Sequence, residues 1–225
     1  MVTTNIIFDL DDTLYMERDY VRSGFNAVAE WLTVGRLTQL KAADLAQYML
    51  QLFNDQPSER GEIFQRTIVE FMLGDFVPQM IDVYRNHRPT IQLDPAVVQG
   101  LNKLKEQGRF IGIITDGDPF RQFAKHSALG LDAWIPRWRV IVNSASMFTK
   151  PNRESFKEMS QRAEGPYVYI GDNPSKDFQA PDALGWTTVR LLHPEQLHRE
   201  RPSKDDIKAH TTGWDALFTY LQNLP

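Results

Sequence analysis

Short apolar runs alternate with helical patterns along most of the chain, and this alternation constrains the fold more than any other feature. The runs are typical of buried strands and cover residues 5–10, 110–114, 140–142, 167–170 and 188–191. Between them lie segments with apolar residues three or four positions apart, the spacing of amphipathic helices. Strands that alternate with helices favour right-handed βαβ crossovers. The sequence therefore predicts an α/β fold, a doubly wound parallel sheet with helices on both faces.

One block departs from this alternation. Between residues 14 and 90 the pattern is helical and no segment has the character of a strand. Its first helix has apolar residues on one face, at Val21, Phe25, Val28 and Leu32. We expect a helical domain over residues 16–90, inserted after the first strand of an α/β core formed by residues 1–15 and 91–225.

Five helices are expected in the core. They lie at residues 97–104, around Phe120, Phe123 and Ala124, at about 153–162, around Phe178 and Leu184, and near 214–221. The segment beyond His193 is otherwise charged and interrupted by prolines, so no further strand is predicted there.

Composition excludes several classes of function. The 225 residues contain no cysteine, so thiol nucleophiles and cysteine zinc sites are ruled out. A net charge of −4 argues against a partner such as a nucleic acid polymer, which requires concentrated positive charge. No window approaches the ~18 consecutive apolar residues of a membrane span, and no export signal is evident. We expect a cytoplasmic protein.

Polar clusters follow the predicted strands at the point where each strand ends. They are Asp-Leu-Asp-Asp-Thr at 9–13, Thr-Asp-Gly at 115–117, Lys-Pro at 150–151 and Gly-Asp-Asn-Pro-Ser-Lys-Asp at 171–177. Because the carboxyl ends of parallel strands line one crevice, we expect these clusters to converge in space. An unpaired carboxylate at the end of a buried strand is costly, which favours a functional role for Asp9. Asp12 is interpreted as a turn residue in preference to a catalytic one.

Clustered carboxylates without a nearby cysteine or histidine suit a hard cation with oxygen ligands. The sequence therefore indicates a metal site, and Mg²⁺ is the expected cofactor.

The four clusters, in this order and at these separations, resemble the motifs of the haloacid dehalogenase (HAD) superfamily, chiefly its phosphatase branch. The resemblance covers the whole predicted core, and it implies a Rossmann-like fold. The helical insertion is similar to the helical cap that some members carry between the first and second motifs.

The resemblance also implies roles for the carboxylates. Asp9 would be the nucleophile that forms an aspartyl phosphate, and Asp11 would protonate the leaving oxygen and then activate water. The metal ligands would be a carboxylate oxygen of Asp9, the backbone carbonyl of Asp11, and Asp172. Asp177 would lie just outside this set, ordering a water or orienting Lys150. Asp9 and Asp12 are expected to raise the pKa of Asp11, and a metal would lower it.

The remaining motif residues would bind the phosphoryl group. Thr115 and the backbone N–H groups of Asp116 and Gly117 would hold its oxygens, and Lys150 would neutralise its charge. Substrate specificity is assigned to residues at the two ends of the helical block, although such residues more often brace a hinge or face water. These candidates are Arg18, Arg85, His87 and Arg88.

The predicted function is that of a Mg²⁺-dependent phosphomonoester hydrolase. Its partner would be a small phosphate ester, such as a sugar phosphate or a nucleoside monophosphate. Two alternatives remain open, a sugar-phosphate mutase and an inert ligand- or metal-binding module. Dehalogenases and phosphonate-cleaving members of the superfamily lack an acid/base residue at the position of Asp11, so both activities are disfavoured.

Overall fold

The computed structural model describes residues 3–144, 148–203 and 205–225, with the side chains of residues 57–59 left aside. The chain forms two compact units. One consists of Met1–Glu17 and Gln92–Pro225, and the other of Arg18–Ile91. None of the helices in the described ranges is long and apolar enough to cross a membrane.

The first unit is built on a parallel sheet. Six strands are found within the described residues: β1 (Asn5–Phe8), β2 (Ile111–Asp116), β3 (Val140–Asn143), β4 (Tyr167–Gly171), β5 (Thr187–Leu192) and β6 (Ala209–Thr212). Their order is β3-β2-β1-β4-β5-β6, so β1 lies inside the sheet between β2 and β4. The predicted parallel α/β architecture is confirmed.

Five strands match the predicted apolar runs, and β6 is an addition at the edge of the sheet. The sequence of β6, Ala-His-Thr-Thr, has no apolar run, and only Thr211 in it is buried. A strand that pairs on one side with β5 needs little apolar surface of its own, which explains why the pattern did not reveal it.

Helices cover both faces of the sheet. They are α5 (Pro95–Glu106), α6 (Pro119–Ala128), α7 (Glu154–Ser160), α8 (Gln179–Ala183) and α9 (Gly213–Gln222). Successive side chains of β1 point to opposite faces. Ile7 packs with Phe156 of α7 and Ala180 of α8, whereas the ring of Phe8 lies 6.1 Å from that of Phe218 in α9. The sheet is therefore buried on both sides, as its apolar strands predict.

The second unit is helical. Its helices are α1 (Glu17–Val34), α2 (Ala42–Asp55), α3 (Ile63–Glu70) and α4 (Val77–Asn86). Phe25 of α1 lies at the centre of an aromatic cluster, with ring centroids 6.3 Å from Phe53, 6.1 Å from Phe64 and 5.7 Å from Tyr84. Gly24 permits the close approach of α4, because a Cβ atom there would lie 2.4 Å from the ring of Tyr84.

Candidate active site

The polar clusters meet at the carboxyl edge of the sheet. Asp9 directly follows β1, Asp172 directly follows β4, and Asp177 ends the short loop after Asp172. Carboxylate oxygens of these three residues lie within 4.8 Å of one another, and all three side chains are buried. The structure thus brings together three acidic groups that the sequence placed at two different strand ends.

Burial and mutual repulsion disfavour the ionised forms of these three carboxyl groups, and a bound metal cation would offset this cost. Burial raises the pKa of the Asp9 carboxyl to about 6, although the charge of Lys150 acts in the opposite direction. Burial, with the charges of Asp177 and Asp9, raises the pKa of Asp172 well above its usual value. The Oδ2 atom of Asp172 is buried and accepts no hydrogen bond from the described residues.

Lys150 joins two of the three carboxylates. Its Nζ atom lies 2.9 Å from Asp9 Oδ1 and 2.7 Å from Asp177 Oδ1. It also donates to the Tyr169 hydroxyl at 3.0 Å, which in turn donates to the Ile114 carbonyl at 3.2 Å. Burial alone would lower the pKa of Lys150, but Asp177 and Asp9 raise it well above its ordinary value. Lys150 is therefore held as an ammonium group beside Asp9.

The turn after β1 is shaped by Asp12. This residue has a positive φ of 52°, a conformation that aspartate tolerates better than most residues. Its Oδ1 atom accepts from the backbone N–H of Glu17 at 2.8 Å, at the start of α1. Asp12 thus makes the structural contacts expected of a turn residue.

The carboxylate of Asp11 points to α6. Lys125 Nζ lies 2.7 Å from Asp11 Oδ1 and 3.0 Å from Oδ2, and Gln122 Nε2 donates to Oδ2 at 3.0 Å. The Tyr15 hydroxyl donates to Oδ1 as well. Burial raises the pKa of Asp11, but Lys125 and these hydrogen bonds outweigh it, so the pKa lies below its ordinary value. Asp9 and Asp12 were expected to raise this pKa, but it is lowered, because the Lys125 ammonium lies 2.7 Å from the Asp11 carboxylate.

In the loop after β2, one backbone N–H that the sequence analysis assigned to the phosphoryl group has another partner. The backbone N–H of Gly117 donates to the Asn143 carbonyl at 2.8 Å, so it is engaged with β3 and is not directed to a phosphoryl oxygen. The Asp116 carboxylate accepts from Asn143 Nδ2 and from the backbone N–H of Lys150, both at 3.0 Å. Asp116 thus fixes the segment that carries Lys150. Thr115 is buried at the end of β2, where its Oγ1 accepts from Gln122 at 2.7 Å.

The sequence reasoning did not identify Gln122, Lys125 or Tyr169 as residues of the site. Gln122 and Lys125 are three positions apart on α6, so they share one helix face. That face is buried, whereas Phe120 on the same helix is 66% exposed. A glutamine and a lysine at helical spacing, directly after a strand-end cluster, were the signal that could have indicated a polar contact.

The four candidate specificity residues lie in the helical unit. Arg18 is half-buried at the start of α1, and Arg85 and Arg88 are exposed. His87 Nδ1 is 2.7 Å from the Tyr84 carbonyl oxygen, and its ring centroid lies 4.9 Å from that of Tyr20. The contacts of His87 within this unit therefore hold the end of α4.

Comparisons with known proteins find hydrolases. A family model described as haloacid dehalogenase-like hydrolase matches residues 6–191. Two curated relatives are glyceraldehyde 3-phosphate phosphatases. The one from Methanocaldococcus jannaschii is 31% identical over 197 residues and covers 83% of this chain and 84% of its own. The one from Methanopyrus kandleri is 24% identical over 211 residues and covers 90% and 89%.

Solved structures show the same fold at lower sequence identity. The HAD-hydrolase YfnB from Bacillus subtilis, solved bound to magnesium, has 17% identity and a TM-score of 0.63, covering 98% of this chain and 99% of its own. A HAD phosphatase from Thermococcus onnurineus has 19% identity and a TM-score of 0.58, covering 97% of each chain.

This chain is a hydrolase. Two observations define the class: the acidic centre at the carboxyl edge of the parallel sheet, and the relatives. Because the family model spans most of its length, the chain belongs to the haloacid dehalogenase-like hydrolases.

Proposed function

We propose that this chain is a Mg²⁺-dependent phosphomonoester hydrolase that works through an aspartyl phosphate on Asp9. The observation that carries the proposal is the buried group of Asp9, Asp172 and Asp177, with Lys150 Nζ 2.9 Å from Asp9 Oδ1. With Asp9 as the nucleophile, the attacking carboxylate would lie beside a fixed positive charge, which is what the attack of one anion on another requires.

The donor set fits a hard divalent cation. Three buried carboxylates and one buried ammonium leave an excess of two negative charges, and the ligand atoms are all oxygens. Asp9, Asp172 and the backbone carbonyl of Asp11 would hold the ion. Asp177 would orient Lys150 instead, because its Oδ1 faces Lys150 and its Oδ2 accepts from the Asn173 N–H at 2.8 Å. Bound there, Mg²⁺ would neutralise phosphate charge and fix the phosphoryl group for in-line attack.

In the first step a carboxylate oxygen of Asp9 attacks phosphorus, and the bond from phosphorus to the ester oxygen breaks. Asp11 donates a proton to that leaving oxygen, so an alcohol departs. Lys125 outweighs burial and lowers the pKa of Asp11, which favours the carboxylate required in the second step, so Asp11 has to take up its proton before the first step. The Thr115 hydroxyl would donate to a phosphoryl oxygen, and the charge of the Lys150 ammonium, whose three N–H groups contact Asp9, Asp177 and Tyr169, would offset the negative charge of the phosphoryl group. In the second step Asp11 removes a proton from water as the water attacks phosphorus, and inorganic phosphate and the free Asp9 carboxylate are released.

The substrate is proposed to be a small phosphorylated metabolite, with triose phosphates as the first candidates. Support comes from the glyceraldehyde 3-phosphate phosphatase of M. jannaschii, which aligns with 83% of this chain. Other sugar phosphates and nucleoside monophosphates are the comparison substrates. Arg18, Arg85, His87 and Arg88 stay predictions for specificity.

The test is phosphate release from glyceraldehyde 3-phosphate, a nucleoside monophosphate and p-nitrophenyl phosphate, with Mg²⁺ and with EDTA. We expect metal-dependent release that D9N abolishes while circular dichroism stays unchanged. D215N, which alters an exposed carboxylate in α9, is the matched control. In D11N treated with p-nitrophenyl phosphate, whose leaving group needs no proton, the Asp9 phosphoenzyme should accumulate and be detected by mass spectrometry. Full activity in D9N would refute the proposal, and transfer of phosphate to a second sugar hydroxyl would indicate a mutase.

A further inference from the structure

Asp11 is the proposed proton-transfer group, and its carboxylate is held from one side by α6. Lys125 Nζ contacts both oxygens at 2.7 and 3.0 Å, and Gln122 Nε2 reaches Oδ2 at 3.0 Å. The side chain of Lys125 is 7% exposed, whereas that of Asp11 is 21% exposed. Lys125 therefore lies on the buried side of the Asp11 carboxylate, and part of the Asp11 side chain remains accessible to a reactant.

Gln122 connects two parts of the site. The same Nε2 atom that donates to Asp11 also donates to Thr115 Oγ1 at 2.7 Å. An amide nitrogen carries two hydrogens, so both bonds form together. The proton-transfer carboxyl and the threonine at the end of β2 are thereby held at a fixed separation.

Local structure fixes where α6 begins. The Asp118 side chain caps α6 by accepting from the Arg121 N–H at 3.1 Å, and Pro119 occupies the first turn. Gln122 and Lys125 then project from one face of the helix, three residues apart. Burying a glutamine and a lysine is unfavourable unless both are paired. An apolar face would serve packing better, so the polar face indicates a role in the site.

We propose that Lys125 and Gln122 are positioning residues that hold the Asp11 carboxyl where it exchanges a proton with the leaving oxygen and with water. This role rests on the phosphohydrolase function proposed above. Lys125 acts through Asp11, whereas Gln122 acts through both Asp11 and Thr115.

The role predicts a dependence on the leaving group. A p-nitrophenolate departs readily without a proton, whereas the alkoxide of glyceraldehyde 3-phosphate requires one. In K125M, kcat/KM for glyceraldehyde 3-phosphate should fall by ~10²-fold, the scale of general acid catalysis. For p-nitrophenyl phosphate the fall should be several-fold smaller. K125R, which keeps the charge and donors, should recover part of the loss.

The decisive measurement is a double-mutant cycle on the same enzyme. If Lys125 acts through Asp11, K125M should change kcat/KM by less than about twofold when introduced into D11N. The inhibition constant of inorganic phosphate should also stay unchanged in K125M. K157M, at an exposed lysine of α7, is the matched control, and K125Q, which removes the charge but keeps a polar side chain, is the second variant if K125M fails to fold by circular dichroism.

Three results would each overturn the positioning role. They are a loss of kcat/KM from K125M in D11N as large as in wild type, an equal loss of kcat/KM for the two esters in K125M, and weaker inhibition of K125M by phosphate. Failure of the proposed phosphohydrolase function gives different results: wild type would release no phosphate, or D9N would remain active. In that case both proposals fall together.

Discussion

The carboxylate of Asp12 accepts a hydrogen bond at 2.9 Å from the backbone N–H of Leu197, a residue 185 positions further along the chain. Two more bonds join the same regions. Gln196 Nε2 donates to the Asp12 carbonyl at 2.7 Å, and Trp214 Nε1 donates to the Thr13 carbonyl at 2.8 Å. The turn that carries Asp9 and Asp11 is therefore fixed by the C-terminal part of the core.

Replacing Asp12 should destabilise the core more than a helix cap does. D12A removes the acceptor for the N–H groups of Glu17 and Leu197 and leaves a residue with a positive φ of 52°. Each lost bond costs on the order of 1 kcal/mol, and the backbone conformation about 1 kcal/mol more. We expect a loss of about 3 kcal/mol, measured by urea denaturation.

D94A is the control for this comparison. Asp94 caps α5 by accepting from the Ala96 N–H at 2.8 Å, in an exposed setting, and its loss should cost about 1 kcal/mol. If D12A were no less stable than D94A, the contacts between the turn and the C-terminal segment would contribute little to stability.

The parts of the site that follow strand ends were predictable because strand ends are local features. Asp9 and Asp172 each come directly after an apolar run, and parallel pairing brings such positions to one edge. The sequence indicated a shared acidic centre there for this reason.

The partners of Asp11 were not predictable in the same way. Lys125 lies 114 positions from Asp11, and no local pattern encodes that distance. Apolar periodicity identifies a buried helix face only where the face packs on an apolar surface. On α6 the buried face meets polar groups, so Phe120 is exposed and Gln122 is buried. The spacing of Gln122 and Lys125 can indicate a polar helix face, but the groups that this face contacts are set by tertiary structure and are not contained in the sequence pattern.

Magnesium should stabilise the protein against unfolding, and Asp172 should be required for this effect. A ligand at about 100 times its dissociation constant adds about 2.7 kcal/mol, so Mg²⁺ should raise the melting temperature of wild type. D172N removes a proposed ligand and should abolish most of the increase. In EDTA, D172N should melt above wild type, because it relieves repulsion among buried carboxylates.

Differential scanning calorimetry with and without Mg²⁺ measures both effects. D215N, with its carboxylate exposed on α9, should retain the wild-type response to Mg²⁺. An unchanged response in D172N would exclude this carboxylate from the metal site.

Acid should destabilise the core through His126. Its ring is fully buried, and Nε2 lies 2.8 Å from the Ile135 carbonyl oxygen, to which it donates. Burial lowers the pKa of His126 below 6.5, with Arg137 acting in the same direction, while the bond to Ile135 and the charge of Asp132 oppose it. The folded state therefore prefers the neutral ring, whereas the unfolded chain binds a proton as the pH falls through about 6.5.

The free energy of unfolding should consequently decrease below about pH 6.5, with a slope of at most about 1.4 kcal/mol per pH unit from this single proton. H126Q keeps a donor for the Ile135 carbonyl and cannot titrate, so its stability should depend less on pH between 7.5 and 5. Urea denaturation across this range, with H210Q at an exposed histidine as the control, measures the difference. Parallel pH profiles for wild type and H126Q would show that the buried ring is protonated as easily in the folded state as in the unfolded chain.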